Sequence, residues 1–138
     1  MLCAITLLLS VISVPLEVDG QFGSLLVRME VNGKTAVFLV DTGAASTFVS
    51  AELAGVDPFT LQQSRFRGDS GMEVRGVWER AKIRLGDWKT TMDVKAIDTA
   101  PISRRYGRRI DGLLGQDILR QFARVTIDFE ARTLVLSR

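Results

Sequence analysis

The sequence contains no histidine, and its only cysteine is Cys3. The missing histidine excludes a Ser-His-Asp triad, a Cys-His pair and a histidine-bound zinc site, because each of them needs an imidazole. Cys3 lies in an apolar leader, so the rest of the chain has no thiol for catalysis, for an internal disulfide or for a cysteine-bound zinc. Carboxylates, hydroxyls, lysine, tyrosine or a metal held by oxygen atoms remain as catalytic groups.

Neither sign of charge dominates the chain. Eighteen basic and sixteen acidic side chains give a formal net charge of +2. Such a balance neither demands nor excludes a nucleic-acid partner. The length of 138 residues and the hydrophobic share of 46% fit one ordinary globular domain. An enzyme with two separate lobes needs a longer chain.

The N-terminal 16 residues carry no charged side chain. Their apolar run has the length of a signal-peptide core, about 7–15 residues, and is shorter than the about 20 residues of a spanning helix. We therefore predict an exported protein that contacts a membrane only through this segment, if it is not cleaved. The predicted boundaries are a signal peptide or short membrane anchor at 1–16, a linker at 17–23 and a folded domain at 24–138.

Other interpretations of the leader stay open, because no lysine or arginine precedes the apolar run. The segment also fits an uncleaved anchor, a first buried strand, or a start codon placed downstream of the true one. A cytoplasmic location therefore stays open as well.

From residue 24 onward, short apolar runs alternate with glycine-centred turns, a pattern typical of all-β proteins. Asn32-Gly33 suits both centres of a type I′ turn and predicts a hairpin of residues 24–31 and 34–40. Ser50 is expected to cap a short helix that Gly55 ends. We predict further strands at 81–85, 92–96, 125–129 and 133–136, a hairpin at 63–77, a polar loop at 98–109 and a helix at 116–122. The pattern predicts a closed β-barrel or sandwich with one short C-terminal helix.

Asp41 directly follows the apolar run of residues 36–40. A charge in that place is unfavourable unless it is hydrogen-bonded or functional. Thr42 supplies a hydroxyl that can anchor the loop, and Gly43 lets the backbone approach another group closely. On its own, the tripeptide favours an ordinary Asx turn at the end of a strand.

A second motif, Ile110-Asp111-Gly112-Leu113-Leu114-Gly115, lies further along the chain and precedes the predicted helix. Its apolar pair allows a strand to lie against the loop of Asp41, and Gly115 allows a tight entry into the helix. Together with the run ending at Ala44 and the closing strand, this motif makes the chain resemble the retropepsin-like aspartic proteases. The resemblance covers residues 24–136 and is greatest with the single-domain bacterial and cellular members.

The resemblance implies one lobe of a homodimeric aspartic endopeptidase that acts on peptide or protein substrates without a cofactor or metal. Because the chain has one Asp-Thr-Gly loop, each subunit would contribute Asp41, with a water between the two carboxylates. One carboxylate would act as general base, and the protonated other would polarise the scissile carbonyl. By the family pattern Asp41 is catalytic, Thr42, Gly43 and Ala44 support its loop, and Gly112, Leu113, Leu114 and Gly115 form the scaffold of the second motif.

The hairpin at 63–77 is the candidate flap over bound peptide, and an ordinary exposed hairpin is the alternative. Its tip is Gly68-Asp69-Ser70-Gly71, where viral members carry apolar residues and glycines. Viral members also brace their dimer with acidic residues and an arginine, and Ala45, Ser46 and Gln116 stand in those places here. These departures fit a different or a weaker dimer interface.

Two other functions stay open. A catalytically silent dimeric peptide-binding module would keep the fold, although a pure binder has no reason to keep paired like charges. A nucleic-acid-binding domain would depend on the four arginines of residues 104–109, which we interpret as a solvated loop without a nucleic-acid partner. We interpret Asp111 as a loop residue and Asp117 as a first-turn helix charge, not as metal ligands. Trp78 and Trp88 are expected in the core or at an interface.

Overall fold

The computed structural model describes residues 10–67 and 73–138. Its strands are β1 (Val11–Pro15), β2 (Glu17–Val18), β3 (Leu25–Val31), β4 (Lys34–Val40), β5 (Phe48–Ser50), β6 (Arg65–Arg67), β7 (Glu73–Leu85), β8 (Trp88–Ile97), β9 (Gly112–Leu114), β10 (Arg124–Asp128) and β11 (Thr133–Ser137). Its helices are α1 (Ala51–Ala54), α2 (Pro58–Gln63), α3 (Ala100–Tyr106) and α4 (Gln116–Leu119). Within these two ranges, none of the helices has the length and apolarity that crossing a membrane requires.

Six of the strands close into a barrel. The pairing runs β3-β4-β9-β5-β8-β7 and returns from β7 to β3. The pairs β4–β9 and β5–β8 are parallel, and the other pairs of the barrel are antiparallel. Strands β1, β11 and β10 form a separate three-stranded sheet in that order. The predicted all-β barrel is confirmed, although the described residues form four short helices where two were expected.

Alternation along β4 supplies two separate apolar clusters. Ala36 and Phe38 point into the main core of the barrel. Val37 and Leu39 point to the opposite face, where they join a smaller cluster with Ile110. Helix α3 covers this smaller cluster with Ile102 and Tyr106, and Leu113 also packs against it. The strand that leads to Asp41 is therefore packed on both faces.

The local turn and cap signals act as the sequence predicts. Asn32 and Gly33 have φ values of 52° and 82° between β3 and β4, as a type I′ turn requires. The Ser50 hydroxyl accepts a hydrogen bond from the Leu53 N–H at 3.3 Å, at the start of α1. Gly55 ends that helix in the left-handed region, with φ 73°.

The prediction of a polar loop at residues 98–109 was wrong, because this segment contains helix α3. Pro101 lies in the first turn of α3, where its fixed φ and missing N–H are tolerated, and Gly107 ends the helix with φ 62°. The helix predicted at 116–122 is also shorter than expected and ends at Leu119.

The folded part begins earlier than the predicted boundary at residue 24. All of β1 pairs with β11, from Val11 opposite Ser137 to Pro15 opposite Thr133. Ile12, Val14 and Leu16 are buried in the main core. Composition alone does not distinguish the apolar run of a leader from that of a buried strand. In the structure, residues 11–15 form a strand. Whether the segment directs export, or is cleaved, stays a prediction.

Candidate active site

Asp41 leaves the end of β4 and begins a loop that faces solvent. Its backbone N–H donates to the Leu114 carbonyl at 3.0 Å, and its own carbonyl accepts from the Ala44 N–H at 3.2 Å. The Asp41 carboxylate accepts a hydrogen bond from the Gly43 N–H through Oδ1 at 2.9 Å. Thr42 and Gly43 are exposed, whereas Asp41 is half-buried. The backbone thus fixes the carboxylate while one side of the loop stays open.

The second motif lies directly against this loop. Strand β9 pairs in parallel with β4, and Leu114 is opposite Val40. A Cβ on Gly112 would lie 2.0 Å from the Phe48 carbonyl oxygen, and one on Gly115 would lie 2.5 Å from the Ser46 carbonyl oxygen. Real Cβ atoms do not approach backbone so closely. Glycine is therefore required at both positions by the close approach of the two segments.

Thr47 and Asp117 join the Asp41 loop to the start of α4, a connection that sequence reasoning missed. The Thr47 hydroxyl donates to Asp117 Oδ1 at 2.6 Å, and the Thr47 N–H donates to Asp117 Oδ2 at 2.8 Å. The same hydroxyl accepts from the Gly115 N–H at 3.1 Å. Thr47 is completely buried. Asp117 therefore does more than complement the helix dipole, because its carboxylate fixes the loop.

Gln116 adds a second connection between the same two segments. Its side-chain amide donates to the Thr42 carbonyl oxygen. Its backbone N–H donates to the Ala44 carbonyl oxygen at 2.8 Å. The residue that stands in the place of the viral arginine therefore braces the Asp41 loop within its own chain.

Asp111 is a loop residue, as predicted, and it is buried with 4% exposure. Its carboxylate accepts from the Val37 N–H at 2.9 Å and from the Arg109 Nε at 2.6 Å. It thereby ties the segment before β9 to β4. Within residues 10–67 and 73–138, no three histidine, cysteine, aspartate or glutamate side chains cluster as metal ligands would.

The candidate flap is described only in part. Strand β6 pairs with the start of β7, with Arg65 opposite Arg75 and Arg67 opposite Glu73. These strands are the two arms of the predicted hairpin. The predicted tip, Gly68, Asp69, Ser70 and Gly71, lies outside the described residues.

The arginine-rich segment at 104–109 is engaged by the chain's own groups. Arg108 forms an ion pair with Glu17, and this hydrogen bond holds the pKa of the Glu17 carboxyl below its ordinary value. Arg109 contacts Glu52 at 3.2 Å as well as Asp111. The Arg105 guanidinium lies 5.3 Å from the centroid of the Phe22 ring. Three of the four arginines of this segment are thus in contact with groups of the chain itself.

Comparison with known proteins places this geometry in a family. Residues 27–118 match the model of a family described as aspartyl protease. The chain is 34% identical over 123 residues to the UBA domain-containing protein Mud1 of Schizosaccharomyces pombe. This match includes 86% of the present chain and 34% of the relative, so the chain spans about a third of that protein's length.

Solved structures with low sequence identity share the fold. A retropepsin-like aspartic protease from Rickettsia conorii superposes with a TM-score of 0.63 at 20% identity, over 94% of this chain and 91% of that one. The retroviral protease-like domain of Ddi1 from Leishmania major superposes with a TM-score of 0.50 at 18% identity, over 82% and 84% of the two chains. With its retropepsin-like fold and a family match over more than half of its length, the chain belongs to the aspartyl protease family.

Proposed function

We propose that the protein is an aspartic endopeptidase that cleaves peptide bonds as a homodimer. The observation that carries the proposal is the Asp41 carboxylate, which backbone hydrogen bonds hold on a loop whose neighbours Thr42 and Gly43 are exposed. Each chain has one such loop. A second copy would complete the site by facing its own Asp41 across a two-fold axis.

The chemistry follows from two carboxylates that share a water. Two like charges about 3 Å apart cannot both ionise readily, so the pair holds one proton between them. The ionised Asp41 takes a proton from the water, which attacks the scissile carbonyl carbon. The protonated Asp41 gives its proton to the carbonyl oxygen, so that a neutral gem-diol intermediate forms. When this intermediate breaks down, the Asp41 that took the water's proton passes it to the leaving amine, and a hydroxyl of the gem-diol returns its proton to the other Asp41. The pair then holds one proton again.

The hydrogen bonds around the loop support this chemistry, because catalytic groups act best when their geometry is fixed before substrate binds. Gly43 orients one carboxylate oxygen of Asp41 and leaves the other for the water. Thr47 and Gln116 hold the backbone of the loop from within the same chain. The site would therefore be rigid in each subunit before the two subunits meet.

The direct test is proteolysis of a denatured protein substrate, with and without pepstatin. We expect cleavage that pepstatin inhibits and that Asp41→Asn abolishes. Asp87→Asn is the matched control, because Asp87 is an exposed aspartate in the turn between β7 and β8. Undiminished cleavage by Asp41→Asn would remove Asp41 from the mechanism. Peptide binding by the wild-type protein without any cleavage would favour the silent binding module.

A further inference from the structure

The strand register places five side chains in one row across the barrel. Side chains alternate between the two faces along each strand, and residues directly opposite each other in adjacent strands point to the same face of the sheet. Leu39 is opposite Leu113, which is opposite Phe48. Phe48 is opposite Lys95, and Lys95 is opposite Trp78. The row therefore crosses from β4 to β7 on a single face.

This face is the one that carries Asp41. Leu39 precedes Asp41 by two residues at the end of β4, and side chains two apart in an extended chain point to the same side. At the Leu39 end the face is covered by α3, through Ile102. At the other end it is open, since Lys95 is half-buried and Trp78 is 53% exposed. A peptide bound at Asp41 can lie along this open part.

Lys95 has aromatic rings on both sides. Its Nζ lies 5.4 Å from the centroid of the Phe48 ring and 5.1 Å from the centroid of the Trp78 ring. Both distances are within the about 6 Å at which a ring face attracts a cation. The two rings thus hold the ammonium group at a defined place in a row whose other members are apolar.

We propose that Lys95 is a specificity-determining residue, which binds the carboxylate of an aspartate or glutamate side chain of the substrate. The proposal rests on the proposed endopeptidase function. Three strand spacings of about 4.8 Å separate Lys95 from Leu39, and an extended peptide covers that distance in about four residues. The acidic residue is therefore expected within about four positions of the scissile bond.

The apolar surroundings make the discrimination effective. Bound peptide excludes water from Phe48 and Trp78, so the attraction between the ammonium group and a carboxylate strengthens. A glutamine of the same shape lacks the negative charge on which this attraction depends. The cleavage rate should therefore depend more on the charge of the substrate side chain, glutamate against glutamine, than on its length.

The test is a set of peptides that differ only by glutamate or glutamine at each position around one cleavage site. For the wild-type protein we expect kcat/KM to be about fivefold higher with glutamate at the responsive position, the size of a partly exposed ion pair. Lys95→Met should bring this ratio to about one without abolishing cleavage. Lys89→Met is the matched control, because Lys89 lies on the same face at the far end of β8. An unchanged ratio in Lys95→Met would overturn the proposal.

A binding measurement separates this proposal from the proposed function. Asp41→Asn should bind the glutamate peptide more tightly than the glutamine peptide in fluorescence anisotropy, and Asp41→Asn with Lys95→Met should bind both equally. A binding preference without wild-type cleavage would contradict the endopeptidase and leave the Lys95 site supported. Equal binding by Asp41→Asn, together with equal cleavage by the wild type, would reject Lys95 alone.

Discussion

The hydroxyl and the backbone N–H of Thr47 together make three hydrogen bonds at the base of the Asp41 loop. The hydroxyl donates to Asp117 and accepts from Gly115, while the backbone N–H donates to the second oxygen of Asp117. Because Thr47 is completely buried, water cannot replace these bonds if the hydroxyl is lost. Loss of the hydroxyl should therefore weaken the connection between the loop and α4.

Thr47→Val tests this connection, because valine keeps the shape and removes the hydroxyl. We expect the free energy of unfolding to fall by about 2–3 kcal/mol, since a buried N–H and a carboxylate oxygen lose their partner. Urea unfolding measures the loss, and Thr126→Val on the exposed side of β10 should stay within about 0.5 kcal/mol of the wild type. For active protein, kcat should fall more than KM rises, and Thr47→Ser should restore both. If Thr47→Val had the same free energy of unfolding as the wild type, the Thr47 hydroxyl would not stabilise the loop.

Residue-scale features differ in how far the sequence reveals them. Asp41 stands out because a charge directly after an apolar strand is a local anomaly. The bond between Thr47 and Asp117 joins positions 70 residues apart, and neither residue type is unusual where it stands. The antiparallel pairing of β5 and β9 brings them together, and that pairing depends on the whole barrel. Lys95 and Trp78 stayed hidden for the same reason.

Elements were predictable where their signals are local. The hairpin of β3 and β4 depends on Asn32-Gly33, and α1 depends on its two end residues, so both follow from a few neighbouring positions. Helix α3 was not predicted, because its arginines are typical of a solvated loop. Gly107, which ends the helix, is the local signal that could have indicated it. Strand β1 required knowledge of its partner β11, at the other end of the chain.

We predict that the fold depends on strand β1. A variant without residues 1–16 loses the burial of Ile12, Val14 and Leu16 and leaves the edge of β11 unpaired. Each buried side chain contributes about 1.5–3 kcal/mol, so the loss of about 5 kcal/mol or more approaches the whole stability of a small domain. We expect this variant to be unfolded or aggregated by circular dichroism and light scattering. Ser13→Ala, at an exposed position of the same strand, should unfold at nearly the wild-type temperature.

The variant without residues 1–16 also bears on export. If cleavage after residue 16 left a protein of wild-type stability, β1 would be dispensable and the predicted signal peptide would be compatible with the fold. If the variant without residues 1–16 unfolds, the mature protein must keep β1, and a cleavage site would have to lie earlier. The mass of the protein recovered from cells then decides between a shorter leader and an uncleaved one.

At the scale of the whole molecule, the proposal depends on self-association. In the described chain, the loop of Asp41, with Thr42 and Gly43 exposed, is braced from within by Gln116, and it would form one half of the proposed site. Bound substrate would contact both copies and so favour the dimer over the free subunits. Specific activity should therefore fall on dilution, and a peptide mimic should raise the native mass in solution.

Mixing active and inactive subunits tests the shared site most directly. If each site needs Asp41 from both chains, wild-type chains paired with Asp41→Asn chains are inactive. Random exchange at equal concentrations leaves about a quarter of the dimers fully wild-type, so a fixed amount of wild-type protein should keep about half of its activity. Asp87→Asn added in the same amount should not lower the activity, because those mixed dimers keep both carboxylates. Activity that is unaffected by excess Asp41→Asn, after exchange has been verified by mass, would mean that each chain cleaves substrate alone.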